Sequence, residues 1–135
     1  MNTNSKYIPE NHHVAVLGAH TKPQRYSNQA VCLLMEHGYM VTPVHPRFEL
    51  IEGLQVVPSL KDINDPVDTL TLYVGPERIQ PMIDEILELA PGRVICNPGT
   101  ESKELQERLD AAGIPWLEAC TLVMLRLGNF LDDQA

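Results

Sequence analysis

The run His13-Val14-Ala15-Val16-Leu17-Gly18 constrains this chain more than any other stretch. A short, continuous apolar run that ends on glycine reads as a strand buried on both faces. Such strands belong to parallel sheets covered by helices. The residues that follow keep the same rhythm. A loop spans Ala19 to Tyr26, Ser27-Asn28 can cap a helix, and Val31, Leu34 and Met35 recur at helical spacing. Gly38 falls where a left-handed C-terminal cap belongs. Tyr39 to Val44 reads as a second strand closed by His45-Pro46, completing a βαβ unit.

The alternation continues. Residues 47–66 are irregular, with an extended piece at Leu54–Val57 and a single turn at Leu60–Ile63 that Ser59 can cap. Thr69 to Val74 is a third strand, rich in β-branched residues. Gly75-Pro76 opens a helix carrying Ile79, Met82, Ile83, Ile86 and Leu87, in which Pro81 requires a looser first turn. Arg93–Cys96 is a fourth strand. Thr100 can cap the next helix, where Glu104 and Arg108 form an i, i+4 pair and Gly113 is the stop. Pro115–Ala119 is a short fifth strand, and Thr121–Phe130 a last helix. The expected fold class is α/β: three layers, an open sheet of about five mainly parallel strands with helices on both faces. The expected organisation is one domain over 1–135, with a polar segment 1–11 and a frayed acidic tail 131–135.

Composition narrows the function classes. The 135 residues carry a net charge of −8, which argues against a nucleic-acid partner reached through a broad basic face. No apolar run approaches the ~20 residues of a membrane span, and the start of the chain has no apolar h-region. Three cysteines, Cys32, Cys96 and Cys120, without CxxC spacing suit free thiols in a reducing cytoplasm. The charge is uneven: residues 69–135 hold eleven acidic and five basic residues, whereas His12–Arg47 holds Lys22, Arg25 and Arg47 against Glu36 alone. All five histidines lie in that second window. An anionic small ligand would meet a locally positive lip.

In an open α/β sheet, ligands bind beyond the C-terminal strand ends. The loop Gly18 to Asn28 lies there, ahead of a helix N-terminus that attracts anions. It lacks both GxGxxG and GxxxxGK[ST], which disfavours a dinucleotide or a P-loop nucleotide. No acidic residue ends the second strand to hold a ribose diol; His45-Pro46-Arg47 stands there instead, which suits a phosphate. Gly18 ends the first strand where the backbone passes closest to such a ligand, and Gly18→Val is expected to abolish binding in a protein that still folds.

These residues carry a resemblance. Val14 to Ala19, Lys22-Pro23, Arg25 to Asn28, Pro43 to Pro46, Tyr73-Val74 and Asn97-Pro98-Gly99 resemble the small stand-alone CoA-binding domain proteins of bacteria. That domain is similar to the N-terminal part of the succinyl-CoA synthetase alpha subunit. The resemblance implies a Rossmann-like fold holding coenzyme A, or an acyl-CoA, at the strand ends. By that resemblance Gly18, Ala19, His20, Thr21, Lys22, Arg25, Ser27 and Asn28 would surround the phosphates. His45, Pro46 and Arg47 would lie at the adenosine end, and Tyr73, Val74, Asn97 and Pro98 along the other side. The sequence departs from the family's common wording at His20, where serine or threonine is usual, and at His45, where asparagine is usual. The synthetase's catalytic histidine lies in a second domain beyond the stretch that matches.

Other chemistry is thinly supported. The histidines lack HxxxH or HExxH spacing, and adjacent His12 and His13 point to opposite faces of a strand, so no metal site is expected. No GxSxG elbow is present and no catalytic residue is assigned. Cys96 and Cys120 stand near strand ends, where either thiol faces a ligand or fills the core. Asp84, Glu85 and Glu88 read as solvated charges, and Trp116 as core or interface. Three readings stay open: a cytoplasmic CoA-binding module without complete catalytic machinery; an NAD(P)- or other nucleotide-dependent enzyme using Cys120 or a histidine; and a regulatory module that meets a second copy or a protein partner.

Overall fold

The computed structural model describes residues 8–131; most of the polar segment 1–11 and residues 132–135 of the tail lie outside the described residues. Five strands, β1 (His13–Leu17), β2 (Met40–Val44), β5 (Thr69–Leu72), β6 (Arg93–Cys96) and β7 (Trp116–Glu118), form one sheet in the order β2-β1-β5-β6-β7. Every pairing is parallel, with Val14 opposite both Val41 and Thr69. A two-stranded antiparallel hairpin, β3 (Leu50–Ile51) with β4 (Leu54–Gln55), stands off the sheet. The α/β, Rossmann-like class expected from the sequence is the class observed.

Two apolar clusters separate by strand alternation. Ala15 and Leu17 of β1, Leu70 and Leu72 of β5, and Val94 and Cys96 of β6 face one side. There they pack with Ile79 of α2 (Pro76–Ile79), Ile83 and Ile86 of α3 (Ile83–Leu89), and Leu105 and Leu109 of α4 (Lys103–Ala112). Val14, Val16 and Ile95 face the other side, against Val31 and Leu34 of α1 (Tyr26–Glu36) and Met124 and Leu125 of α5 (Thr121–Leu127).

Several local expectations are corrected. The N-cap of α1 is Arg25, with no side-chain cap; Ser27 and Asn28 lie in its first turn, buried. Ser102, not Thr100, caps α4 by accepting the Leu105 N–H, while Thr100 donates to the Asn97 carbonyl. The looser turn expected at Pro81 is present: the segment after β5 runs as α2, a 3-10 turn and then α3, because proline has no N–H for the carbonyl four residues before it. Arg108 reaches across to the solvated Asp84 on α3 at 2.9 Å instead of pairing with Glu104. The hairpin partner Leu50–Ile51 went unpredicted because Glu52-Gly53 is not a favoured turn pair.

The N-terminal end of the sheet is closed by a histidine pair. His12 Nε2 lies 2.8 Å from Thr69 Oγ1 on one face. On the other, the His13 ring is 2.7 Å from the Pro66 carbonyl through Nδ1 and 2.7 Å from Thr42 Oγ1 through Nε2. The carbonyl can only accept, so Nδ1 carries a proton and donates it to Pro66. Replacing His13 with Leu strands both partners. We expect a loss of about 1–3 kcal/mol, read as a lowered urea midpoint at unchanged slope. Ligand affinity at the opposite end of the sheet should not move.

Candidate functional site

The chain runs from β1 out to β2 at the sheet edge and then returns across β1 to β5, so strand order reverses between β1 and β5. Loops leaving neighbouring strands there diverge and open a crevice. Gly18 stands at that point. Its N–H donates to the Val44 carbonyl at 3.0 Å, and the next strand exit is tied back by Tyr73 N–H to the Leu17 carbonyl at 2.8 Å. The backbone of Gly18 has φ +91, and a β-carbon there would lie 2.8 Å from both the Tyr73 carbonyl oxygen and Val74 Cγ1. Glycine is required by chain-to-chain contact as well as by conformation. This corrects the expectation that Gly18→Val leaves the fold intact.

Two loops rise from this floor, and each is closed by a histidine. The Lys22 N–H donates to His20 Nδ1 at 3.1 Å, and the Arg47 N–H donates to His45 Nδ1 at 3.1 Å. The geometry is that of an Asx turn, in which a side-chain acceptor takes the N–H two residues on. Both rings therefore work as acceptors at Nδ1, with the neutral tautomer's proton on Nε2. Phe48 packs both rings, with centroids 4.9 Å from His20 and 4.3 Å from His45; the two imidazoles are 6.0 Å apart. Burial lowers the pKa of both rings, and the cations lower it further: Arg25, Lys22 and Arg47 act on His20, and Arg47, His20 and Arg78 on His45. Thr21, Lys22, Arg25, Pro46 and Arg47 are exposed, whereas Ala19 is fully buried in the α1 cluster.

Asn28 is 2% exposed and serves the loop from beneath. Its Nδ2 donates to the His20 carbonyl at 2.8 Å and to Glu52 Oε2 at 3.0 Å. Asn97 does the same under the far side. Its Nδ2 donates to Thr71 Oγ1 at 2.6 Å and to the Leu72 carbonyl at 2.8 Å, and its Oδ1 accepts the Thr121 N–H at 2.8 Å, capping α5 across the sheet. Thr71 and Thr121 join hydroxyls at 2.7 Å. The Tyr73 hydroxyl is buried beside the hydroxyls of Thr71 and Thr121. Burial dominates its acidity and pushes the phenol up to about 12. Val74 is buried, Pro98 is exposed. Cys96 lies wholly in the core, its thiol pKa raised by burial, while half-buried Cys120 occupies the α5 N-cap position without capping it.

The structure thus draws together His20, Lys22, Arg25, His45 and Arg47, and sets Gly18, Tyr73 and Val74 beneath them as floor. It adds Phe48, Glu52 and Arg78, which no periodicity or motif marks. Among the described residues no group of three or more His, Cys, Asp or Glu side chains could hold a metal ion, and no helix is long and apolar enough to cross a membrane. Two outcomes are expected. Gly18→Ala should destabilise the protein by at least ~1–2 kcal/mol, the left-handed backbone cost alone, measured by denaturant titration. Both histidines should titrate below the ordinary histidine value of 6.5 in NMR. The unfolded chain then takes protons before the native one, so their contribution to stability falls as pH drops below that value. Inorganic pyrophosphate, by neutralising the cations, should move both titrations back up.

The fold is shared with known proteins. The family described as CoA binding domain matches residues 12–126. The structure of cell-free ID.343 from Thermus thermophilus is 34% identical, covers 95% of this chain and 100% of its own, and superposes with a TM-score of 0.83. An uncharacterized protein of Bacillus subtilis (strain 168), YneT, is 27% identical over 100 residues, 74% of each chain. The dinucleotide forming acetyl-coenzyme A synthetase 1 of Ca. Korarchaeum cryptofilum, in complex with phosphate and ADP, is 22% identical and has a TM-score of 0.69. It covers 84% of this chain and 27% of its own, so it shares the fold. With the family match spanning every strand of the sheet, the chain belongs to the CoA-binding domain family.

Proposed function

We propose that this protein binds coenzyme A, or an acyl-CoA, in the crevice above Gly18. The observation that carries the reading is the convergence of Lys22, Arg25, Arg47 and Arg78 on two histidine-closed loops, on a protein of net charge −8. That donor set suits a polyanion of several phosphates, and charge-assisted hydrogen bonds are the strong ones. Exposed Thr21, Lys22 and Arg25 would take phosphate groups, with His20 and Ala19 shaping their backbone. Pro46 and Arg47 would flank the adenosine, with the His45–Phe48 pair offering an aromatic face. Tyr73, Val74, Asn97 and Pro98 would line the path of the pantetheine arm. Ser27 and Asn28, buried in α1, would act by holding the loop. The imidazole–hydroxyl contacts of the sheet, His12–Thr69 and His13–Thr42, lie at the opposite end from this crevice, which supports a binding role for it.

Calorimetry should show coenzyme A binding more tightly than NAD or ATP; equal or stronger binding of NAD would sink the assignment. Arg47→Ala and Lys22→Ala should each weaken coenzyme A by about 1.5–3 kcal/mol, the range for hydrogen bonds to charged groups. Their Tm should barely move, because exposed charges contribute little to stability.

A further inference from the structure

The tip of the β3–β4 hairpin holds a glutamate where glycine, asparagine or aspartate belongs. Glu52 has φ +52 and Gly53 φ +80, so both turn residues are left-handed. A longer side chain carries a steric penalty in that region. Nothing in the core asks for it: Glu52 is exposed, and the hairpin is anchored instead by Ile51, 1% exposed, and Val56, 8% exposed, in the cluster of Val31 and Leu34. A carboxylate beside the cationic loops is also unfavourable to any anion bound there. Backbone strain of this kind persists where the side chain has a task.

The task is visible in its contact. Glu52 Oε2 accepts from Asn28 Nδ2 at 3.0 Å, and the same nitrogen donates to the His20 carbonyl at 2.8 Å. Asn28 Oδ1 receives the Cys32 thiol at 3.6 Å. The amide is thus fixed from three directions, and one of them comes from a hairpin that is otherwise not part of α1 or of the loop. We propose that Glu52 is a positioning residue: the hairpin lends its carboxylate to Asn28, which holds the His20 carbonyl and so keeps the 19–25 loop in its anion-binding shape. This rests on the coenzyme A reading of that loop for its purpose, but its geometry can be tested without the ligand.

Two variants separate the relay from mere structure. Glu52→Gly relieves the strained backbone and deletes the acceptor. Glu52→Gln keeps an acceptor oxygen and removes the charge. In the ligand-free protein, Glu52→Gly should show an unchanged or raised Tm, yet hydrogen exchange across residues 19–25 at least about fivefold faster, while β1 amides exchange as before. Its Kd for coenzyme A, and for inorganic pyrophosphate as a smaller probe, should rise roughly five- to twentyfold. Glu52→Gln should restore exchange and affinity to within about threefold of the wild type. The proposal is overturned by wild-type exchange in Glu52→Gly, by faster exchange with unchanged affinity, by a fall in its Tm, or by a Glu52→Gln protein that behaves like the glycine variant. If the wild type binds neither probe, the coenzyme A reading fails, and the exchange comparison still decides whether Glu52 holds the loop.

Discussion

The contact on which the site depends is the close approach of two strand exits at Gly18. Parallel neighbours must diverge at the switch point, and here β1 turns away while its backbone still touches β5. With a β-carbon only 2.8 Å from the Tyr73 carbonyl oxygen, no other residue could make that turn without moving Tyr73. Moving Tyr73 would disturb its N–H bond to the Leu17 carbonyl, and Gly18 itself is bonded to the Val44 carbonyl. Three strands, β2, β1 and β5, are therefore locked at one residue. Everything above them inherits that rigidity.

The polar side chains near the strand ends divide into two kinds. Lys22, Arg25 and Arg47 are exposed and free to meet a solute. Asn28 and Asn97 are buried, and their amides are already committed to backbone carbonyls, hydroxyls and N–H groups. A buried amide left without partners costs far more than an ordinary hydrogen bond contributes, so these two are tied to their present geometry. The Asn97–Thr71–Thr121 network also explains how α5 starts without a side-chain cap of its own: the cap comes from β6's exit loop. Motif residues thus serve the site at different distances, some by touching a ligand and some by fixing the backbone that does.

The regular elements were legible because burial writes periodicity. β1 and β6 were bounded within a residue, and Gly38 and Gly113 were found as left-handed helix ends, with φ +89 and +74. Caps were less legible: Asn28 and Thr100 have the right chemistry for a cap and were recruited by other partners, and Ser27 lies buried in the first turn of α1. Phe48, Glu52 and Arg78 left no trace in the sequence. They come from irregular or exposed segments, and what gives them meaning is a ring contact with His20 and His45, a hydrogen bond to Asn28, or, for Arg78, a charge felt at His45 across the fold. Sequence spacing cannot express such contacts.

The two histidines and their cations form a self-consistent set. At an imidazole nitrogen, accepting an N–H requires a lone pair, and a lone pair requires that the ring stay neutral at that atom. Lys22, Arg25, Arg47 and Arg78 discourage the second proton, and desolvation by burial does so more strongly. The neutral rings in turn accept the Lys22 and Arg47 N–H groups that hold those same cations in place. Each partner sustains the condition the other needs. Serine, threonine or asparagine would close the same turns without any such condition. Histidine makes the shape of the loops answer to the local field, and that field is set at short range: at physiological salt, charges beyond ~8 Å are largely screened. The acidic remainder of the chain therefore does little to offset the positive lip that the loops present.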